Sequence, residues 1–251
     1  MKIITGMHRS GTSIVARLMF EAGGDFGDPN TFYRPEKWNP EGYYEQPEFH
    51  AINMPVINGP FWKLSYFHLP STKTLTKRAA KYSKEIRAVS EKYGDKIVKE
   101  VRFCLTLPGW RAQGTRFERA VVCLREPLEV AKSVDKRFHV GYRRSLELWR
   151  IHNERLLENL GDLPRWFIAY HNILNPETRR REIAAALEFM DLDHSDATLD
   201  RLSQLIRSPR NSADAREAIQ YPRRVQDMWD TLLGLHQAQF ASKETAYAAK
   251  D

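Results

Sequence analysis

Residues 2–24 have the sequence KIITGMHRSGTSIVARLMFEAGG, in which three elements follow one another. A short β-branched run at 2–5 predicts a strand. Gly6 and Gly11 then enclose a loop, and apolar residues recur at helical spacing from position 14 to position 22, before a Gly-Gly pair ends the pattern. A glycine-rich turn that enters a helix presents backbone N–H groups and the positive end of the helix dipole to a tetrahedral anion. The stretch therefore predicts a strand, an anion-binding loop and a helix.

The loop GMHRSGTS (6–13) departs from the phosphate-binding pattern G-x-x-x-x-G-K-[ST], because Thr12 stands where that pattern has lysine. Ser10, Thr12 and Ser13 add hydroxyl donors, and Arg9 adds a positive charge within the loop. The position of the loop after a first strand and before an amphipathic helix favours an anion cradle over a structural turn.

The missing lysine separates two kinds of chemistry. Enzymes of this type that use ATP or GTP place the lysine on the phosphates and hold Mg²⁺ with an aspartate that follows a hydrophobic strand. Here the run VVCL (121–124) is followed by Arg125, which is not acidic. A sulfuryl group in a mixed anhydride carries less charge than a terminal phosphoryl group, so arginine and backbone donors can suffice without a metal. These features favour sulfuryl transfer.

Strands and helices alternate along the rest of the chain. Further strands are predicted at 96–101, 118–124 and 165–171. Helices are predicted at 73–93, at 129–137 with Pro127 in the first turn, at 142–160, and from Pro176 with Asn175 as its cap. The alternation predicts an α/β fold of three layers, α/β/α, with a central and mostly parallel sheet. Ligands of such sheets bind outside the carboxyl ends of the strands.

We expect one domain over residues 1–251. Residues 25–70 are rich in Pro, Gly, Asn and aromatic side chains with little periodicity, which predicts an irregular insert on the substrate side. From about residue 177 onward the sequence predicts a helical region that ends in a frayed tail, KETAYAAKD (243–251).

The composition is that of an ordinary globular protein, with 42% hydrophobic and 28% charged residues. The net charge of +7 favours an acidic partner. The first ten residues do not have the pattern of a signal peptide, and apolar runs are too short to span a bilayer, so we expect a cytoplasmic protein without an integral membrane segment. Cys104 and Cys123 predict buried free thiols, because two cysteines make neither a disulfide framework nor a four-ligand zinc site.

A second loop allows a resemblance to be named. In LREPLEVAKSV (124–134), Arg125 is followed eight positions later by Ser133. Together with GMHRSGTS, this stretch resembles the two nucleotide-binding signatures of the sulfotransferases that depend on PAPS (3′-phosphoadenosine 5′-phosphosulfate). The resemblance implies a P-loop NTPase-like fold of the bacterial sulfotransferase type, with PAPS as cofactor, adenosine 3′,5′-bisphosphate as product and no metal. It implies that the 3′-phosphate is held by Arg125 and Ser133, and the 5′-phosphosulfate by His8, Arg9, Ser10, Gly11, Thr12 and Ser13.

Other stretches agree with this resemblance over residues 1 to about 192. KEVRFCLTLPGW (99–110) is similar to the K-D-P-R-x-x-x-x-L-P-x-W segment of bacterial members, although Glu100 and Val101 replace Asp-Pro. WNPEGYYEQ (38–46) is similar to their N-P-x-G-[FY]-[WY]-E signature. The late Arg-Lys-Gly motif of the cytosolic-type family is not evident, so nucleotide contacts from Arg207 or Arg210 stay open.

Transfer to an alcohol needs a base for the attacking hydroxyl and a cation near the leaving oxygen. Arg9 fits the second task, with Lys99 assisting. The resemblance favours Glu45 as the base, and we expect desolvation among its aromatic neighbours to raise its pKa. The alternative role of Glu45 is a structural carboxylate that caps the N-P-E-G turn. The other candidates for the base are Glu41, His50 and Glu100.

The leading interpretation is a sulfotransferase that moves a sulfuryl group from PAPS to an acceptor hydroxyl by in-line displacement. The alternatives are a P-loop kinase that uses ATP and Mg²⁺ and a basic nucleic-acid-binding module. The sequence leaves four classes of acceptor open: a glycan, a lipid, a natural product or a tyrosine. It also leaves the oligomeric state open, and no nucleic acid is expected as a partner.

Aromatic residues of the insert predict either an acceptor cleft or a satellite core: Tyr33, Trp38, Tyr43, Tyr44, Phe61, Trp62, Tyr66 and Phe67. Four histidines without metal-like spacing are predicted at loops or the surface: His8, His139, His152 and His171.

Overall fold

The computed structural model describes residues 1–37, 39, 41–59, 69–206 and 220–248. Its sheet consists of β1 (Lys2–Thr5), β2 (Ile97–Lys99), β3 (Arg119–Leu124) and β4 (Arg165–Ala169). All three pairings are parallel, and the strand order is β2-β1-β3-β4. The four predicted strands and the parallel sheet are therefore confirmed. Because β1 is paired with both β2 and β3, the loops that follow these three strands lie side by side.

Eleven helices are described in chain order: α1 (Thr12–Glu21), α2 (Pro47–Asn58), α3 (Thr72–Ala79), α4 (Ser83–Lys92), α5 (Phe103–Ala112), α6 (Pro127–Phe138), α7 (Tyr142–Leu160), α8 (Tyr170–Leu174), α9 (Pro176–Phe189), α10 (Asp196–Gln204) and α11 (Arg223–Ala248). Most agree with prediction, including the Asn175 side-chain cap of α9. Three expectations are corrected. A short 3-10 turn at Ala80–Tyr82 divides the predicted helix 73–93, the insert contains α2, and the expected frayed tail is helical to Ala248.

Both faces of the sheet are covered. Side chains of a strand alternate between the two faces, so that Ile3 and Val122 join one hydrophobic cluster while Ile4 and Val121 join the other. The first cluster includes side chains from α2 to α7, and the second includes side chains from α1, α9 and α10. This arrangement confirms the three-layer α/β/α fold. Cys104 and Cys123 are buried free thiols, as predicted.

The last helix, α11, covers β4. The side-chain amide of Gln239 accepts a hydrogen bond from Phe167 N at 2.8 Å and donates one to Phe167 O at 2.5 Å. One turn earlier, His236 contacts the buried carboxylate of Glu182 at 2.8 Å, and Glu182 also accepts from the backbone N–H of Ala169 at 2.6 Å. These contacts fix the end of β4, where Ala169 is followed by the first residue of α8. Within the described residues, no helix is both long and apolar enough to cross a membrane.

Candidate active site

The glycine loop connects β1 to α1 in a backbone conformation that its glycines permit. Gly11 has φ of +87° and caps α1 without a side-chain hydrogen bond, and a Cβ added to it would lie 2.3 Å from the ring of Tyr170. A Cβ added to Gly6 would lie 2.7 Å from the carbonyl oxygen of Cys123. Arg9 also has positive φ, at 73°. No side chain caps the first turn of α1, and Gly11, Thr12 and Ser13 line the cavity beside the loop.

The two loops of the sequence motifs are in direct contact. Arg9 Nε donates to Ser133 Oγ at 2.8 Å, and Arg125 Nη1 donates to the carbonyl oxygen of Arg9 at 3.0 Å. Arg125 also pairs with Glu129 at 2.8 Å and lies 4.3 Å from the ring centroid of Tyr170. The pairing of β1 with β3 brings both loops to one cavity.

This cavity has a volume of about 780 Å³ and lies at the carboxyl edge of the sheet. Its size is typical of sites for small molecules and cofactors. Most of the predicted site residues line it: His8, Arg9, Gly11, Thr12, Ser13, Glu45, Lys99 and Arg125. Ser10 is buried beneath the loop, and Ser133 reaches the site through its hydrogen bond with Arg9. The described residues contain no group of three His, Cys, Asp or Glu side chains arranged to hold a metal ion.

A buried ion pair lies beside the loop. Lys99 and Glu45 are 2% and 7% exposed, and Lys99 Nζ lies 2.5 Å from Glu45 Oε1. Lys99 also donates to Ser13 Oγ at 3.3 Å. The second oxygen of Glu45 lies 3.6 Å from Arg102 Nη1, which is 2.8 Å from the buried Glu100 carboxylate. A cation from β2 therefore reaches the loop that lacks a lysine of its own.

The pKa of Glu45 is lowered, so the expectation of a raised pKa is wrong. Burial alone raises it, but the charges of Lys99 and Arg102 favour the carboxylate and outweigh burial. Both cations come from the stretch 99–102, more than fifty residues along the chain. The sequence around Glu45 shows its aromatic neighbours but not these two cations, whose combined effect on its pKa exceeds that of burial. Glu45 is thus ionised at neutral pH, as a proton acceptor must be.

The other candidates for the base differ in their surroundings. Glu41 is exposed and pairs with Arg17 at 2.6 Å. Glu100 is buried, and its Oε1 accepts from both the backbone N–H and the guanidinium of Arg102. His50 lines the cavity, and burial followed by the charge of Arg102 lowers its pKa. Among these groups, Glu45 combines a position on the cavity wall with a direct contact to Lys99.

The histidines and aromatic residues differ in their surroundings. His152 is buried in α7, with its ring 5.6 Å from that of His8, so the prediction of a surface position is wrong for His152. His139 and His171 are exposed, as expected. Tyr33 and Tyr43 line the cavity, whereas Tyr44 is half-buried and packs with Phe20 and Phe32 against the hydrophobic cluster of the α1 side. Trp38, Phe61, Trp62, Tyr66, Phe67, Arg207 and Arg210 lie outside the described residues.

Sequence reasoning missed Tyr170. It follows Ala169 at the carboxyl end of β4, and its ring packs between Gly11 and Arg125. The available signal was its position, since residues at the carboxyl ends of parallel strands meet at the ligand-binding edge. Arg137 was also missed; it lines the cavity and pairs with Glu36 of the insert at 3.0 Å.

Comparison with known proteins supports the fold. No protein-family model matches the sequence, and no curated protein matches it. Among solved structures, the chain is similar to the sulfotransferase domain of the olefin synthase from Synechococcus PCC 7002. The TM-score is 0.51 and the identity 16%, and the alignment covers 93% of this chain and 94% of that chain. At this identity the similarity concerns the fold alone: the α/β fold of this chain is similar to that of the sulfotransferase domain.

Proposed function

We propose that this protein is a cytoplasmic sulfotransferase that uses PAPS and an acceptor hydroxyl. The proposal depends on one observation: the glycine loop, Arg9, Arg125 and the Lys99–Glu45 pair share one cavity at the carboxyl edge of a parallel sheet. PAPS, when bound, would supply the sulfuryl group. The bond from sulfur to the phosphate oxygen would break as the bond from sulfur to the acceptor oxygen forms, and the remaining nucleotide would leave as adenosine 3′,5′-bisphosphate.

The donor set of the cavity suits a nucleotide that carries two anionic groups. The loop 6–13 offers backbone N–H groups, the hydroxyls of Thr12 and Ser13, and the guanidinium of Arg9 to the reactive end. Arg125 with Ser133 provides a guanidinium and a hydroxyl for the 3′-phosphate. The ring of Tyr170 lies against Gly11 and 4.3 Å from the Arg125 guanidinium, so it supports both anion-binding groups.

Glu45 accepts a proton in the proposed reaction, and Lys99 stabilises negative charge. Glu45 is ionised and lies on the cavity wall, so it accepts the proton of the attacking hydroxyl on a carboxylate oxygen. Lys99 contacts both Glu45 and Ser13, and it therefore links the base to the loop that binds the leaving group. Arg9 and Lys99 stabilise the negative charge that develops on the leaving oxygen.

A kinase that uses ATP and Mg²⁺ is the main rival. Such a kinase needs a lysine at position 12 and an aspartate after β3, but this chain has threonine and Arg125 at these positions. A thermal-shift panel separates the two functions. We expect adenosine 3′,5′-bisphosphate to raise the melting temperature with EDTA present, and ATP with Mg²⁺ to leave it unchanged. The reverse pattern would favour the kinase.

Replacing Glu45 tests the mechanism. We expect Glu45→Gln to reduce turnover of radiolabelled PAPS by about 10²–10⁴-fold, the usual contribution of a general base. Binding of adenosine 3′,5′-bisphosphate is expected to persist. Glu48→Gln is the matched control, because Glu48 pairs with Lys92 at 2.6 Å on the outer side of α2. Full activity of Glu45→Gln would transfer the proton-accepting role to His50 or Glu100.

A further inference from the structure

One part of the cavity, here called the apolar half, is lined by Met54, Ile57, Leu69, Leu105 and Phe138. Ile57 and Leu105 are buried in the hydrophobic cluster of the α2–α7 side, and Leu69 and Phe138 pack against that cluster. The opposite end of the cavity is lined by Ile14, Leu174 and Leu205, which pack against the cluster of the other face. The cavity therefore extends past the glycine loop on both sides, and the apolar half lies on the side away from α1.

Helix α2 forms the long wall of the apolar half. Four of its residues line the cavity, and their spacing puts them on one helix face: His50, Met54, Ile57 and Asn58. Other residues of α2 point to the core, where Asn53 accepts from the indole of Trp110 at 2.8 Å. From position 50 to position 58 the helix advances about 12 Å. Glu45 precedes α2, so the proposed base lies at one end of this wall.

The polar groups beside the apolar half carry little unpaired charge. Burial lowers the pKa of His152 to about 4 and that of His8 well below its usual value, so both rings are neutral at pH 7. Arg102 is charged, but it pairs with Glu100 and Glu45 and donates to the sulfur of Met54 at 3.3 Å. Because Arg102 is already paired with two carboxylates, an ionic ligand would lose its hydration there without gaining an unpaired opposite charge.

Asn58 marks the far end of the wall. It lines the cavity, is 7% exposed, and its Oδ1 is buried without a hydrogen bond from the described part of the chain. Buried polar atoms of native proteins nearly always have a partner, and an atom left without one is costly. A ligand that donates a hydrogen bond to this oxygen would satisfy it.

We propose that the apolar half binds an uncharged alcohol with an extended apolar body, which lies along α2 and carries a second hydrogen-bond donor at the end that reaches Asn58. The role of this alcohol as the acceptor rests on the proposed sulfotransferase function. Its binding to the apolar half does not rest on that function, because none of the five residues that line this part of the cavity is assigned to the nucleotide. Sugars and peptides lack the long apolar body that this wall covers.

Isothermal titration calorimetry with straight-chain primary alkanols tests the proposal without the donor. We expect the affinity to rise by about two- to fourfold for each added methylene until the chain fills the wall, since burying one methylene is worth about 0.8 kcal/mol. An alkanediol of matching length is expected to bind about two- to tenfold more tightly than the alkanol, and Asn58→Leu is expected to remove that advantage.

Charge insertion provides the second arm. Met54→Lys is expected to weaken alkanol binding at least tenfold without weakening the binding of adenosine 3′,5′-bisphosphate, whose negative charges a further cation in the cavity attracts. Leu235→Lys adds the same charge at an exposed position of α11 and is the control; Met54→Gln replaces Met54→Lys if the latter does not fold. The proposal would be overturned if the affinity for alkanols did not depend on the length of the alkanol, or if neither Met54 variant changed that affinity. Tight alkanol binding without PAPS turnover would instead contradict only the sulfotransferase function.

Discussion

Replacing Lys99 by methionine probes the buried ion pair on which the site depends. Lys99 and Glu45 lie 2.5 Å apart and are both buried, so the variant leaves a carboxylate in the interior without its nearest cation. Removing one partner of a buried pair costs about 3–5 kcal/mol. Arg102, at 3.6 Å from the second oxygen, still compensates part of the charge. We therefore expect Lys99→Met to lower the free energy of unfolding by about 3 kcal/mol at pH 7.

The loss should depend on pH in a definite direction. In the native protein the pKa of Glu45 is below its usual value, so the pair stabilises the fold above the unfolded-state pKa of about 4.3. This stability is lost as the pH falls through the folded-state pKa. In Lys99→Met, burial raises the pKa of Glu45, and protonation relieves the unpaired charge. The deficit relative to the native protein should therefore shrink as the pH is lowered from 7 to about 5.

Urea unfolding followed by tryptophan fluorescence measures both effects. Lys92→Met is the matched control, because Lys92 pairs with Glu48 at 2.6 Å but is 57% exposed, and the loss of such a pair costs at most about 1 kcal/mol. The reasoning would be refuted if Lys99→Met cost no more than this control. A deficit that is equal at pH 7 and pH 5 would also refute it.

Three further outcomes follow from the site. Arg125→Met should weaken binding of adenosine 3′,5′-bisphosphate by about 10–100-fold in titration calorimetry, because a charge-assisted hydrogen bond is worth about 1.5–3 kcal/mol. The PAPS turnover rate should change by less than about twofold between pH 6 and 8, because the lowered pKa keeps Glu45 ionised throughout. An acid limb with a midpoint below the ordinary histidine pKa would indicate His50 instead, because burial and the charge of Arg102 lower the pKa of that ring. Gly11→Ala should lower the melting temperature by about 5 °C and abolish nucleotide binding, because its methyl group would collide with the Tyr170 ring; unchanged melting and binding would contradict the loop geometry.

Local signals were sufficient for much of the fold. The helix predicted at 142–160 has these bounds in the structure because its apolar period is strong and Gly141 and Gly161 flank it. Asn175 and Pro176 likewise begin α9, since a cap and a first-turn proline act through neighbouring backbone groups alone. The glycine loop was predictable for the same reason, because its conformation depends on residues within one short stretch.

The features that local signals missed depend on distant contacts. Lys99 and Glu45 are separated by more than fifty residues, and only the pairing of β1 with β2 brings Lys99 to the glycine loop. The direction of the Glu45 pKa depends on that contact. Helix α2 was missed because its apolar pattern is weak, as one face packs on Trp110 while another lines a cavity. The position of Tyr170 likewise depends on the neighbouring strands rather than on its own segment.

The contact between Gln239 and Phe167 has a consequence for self-association. An outer strand ordinarily offers free backbone groups on which a strand of a second molecule can assemble, and such growth leads to aggregation. At Phe167 the amide of Gln239 takes the place of that foreign strand, because it satisfies both the N–H and the C=O. The same helix contacts Glu182 through His236. A substitution that detached α11 would therefore expose β4 and remove one contact of the carboxylate that restrains the end of this strand. We expect such a substitution to lower the solubility of the protein and to disorder the active site at the same time.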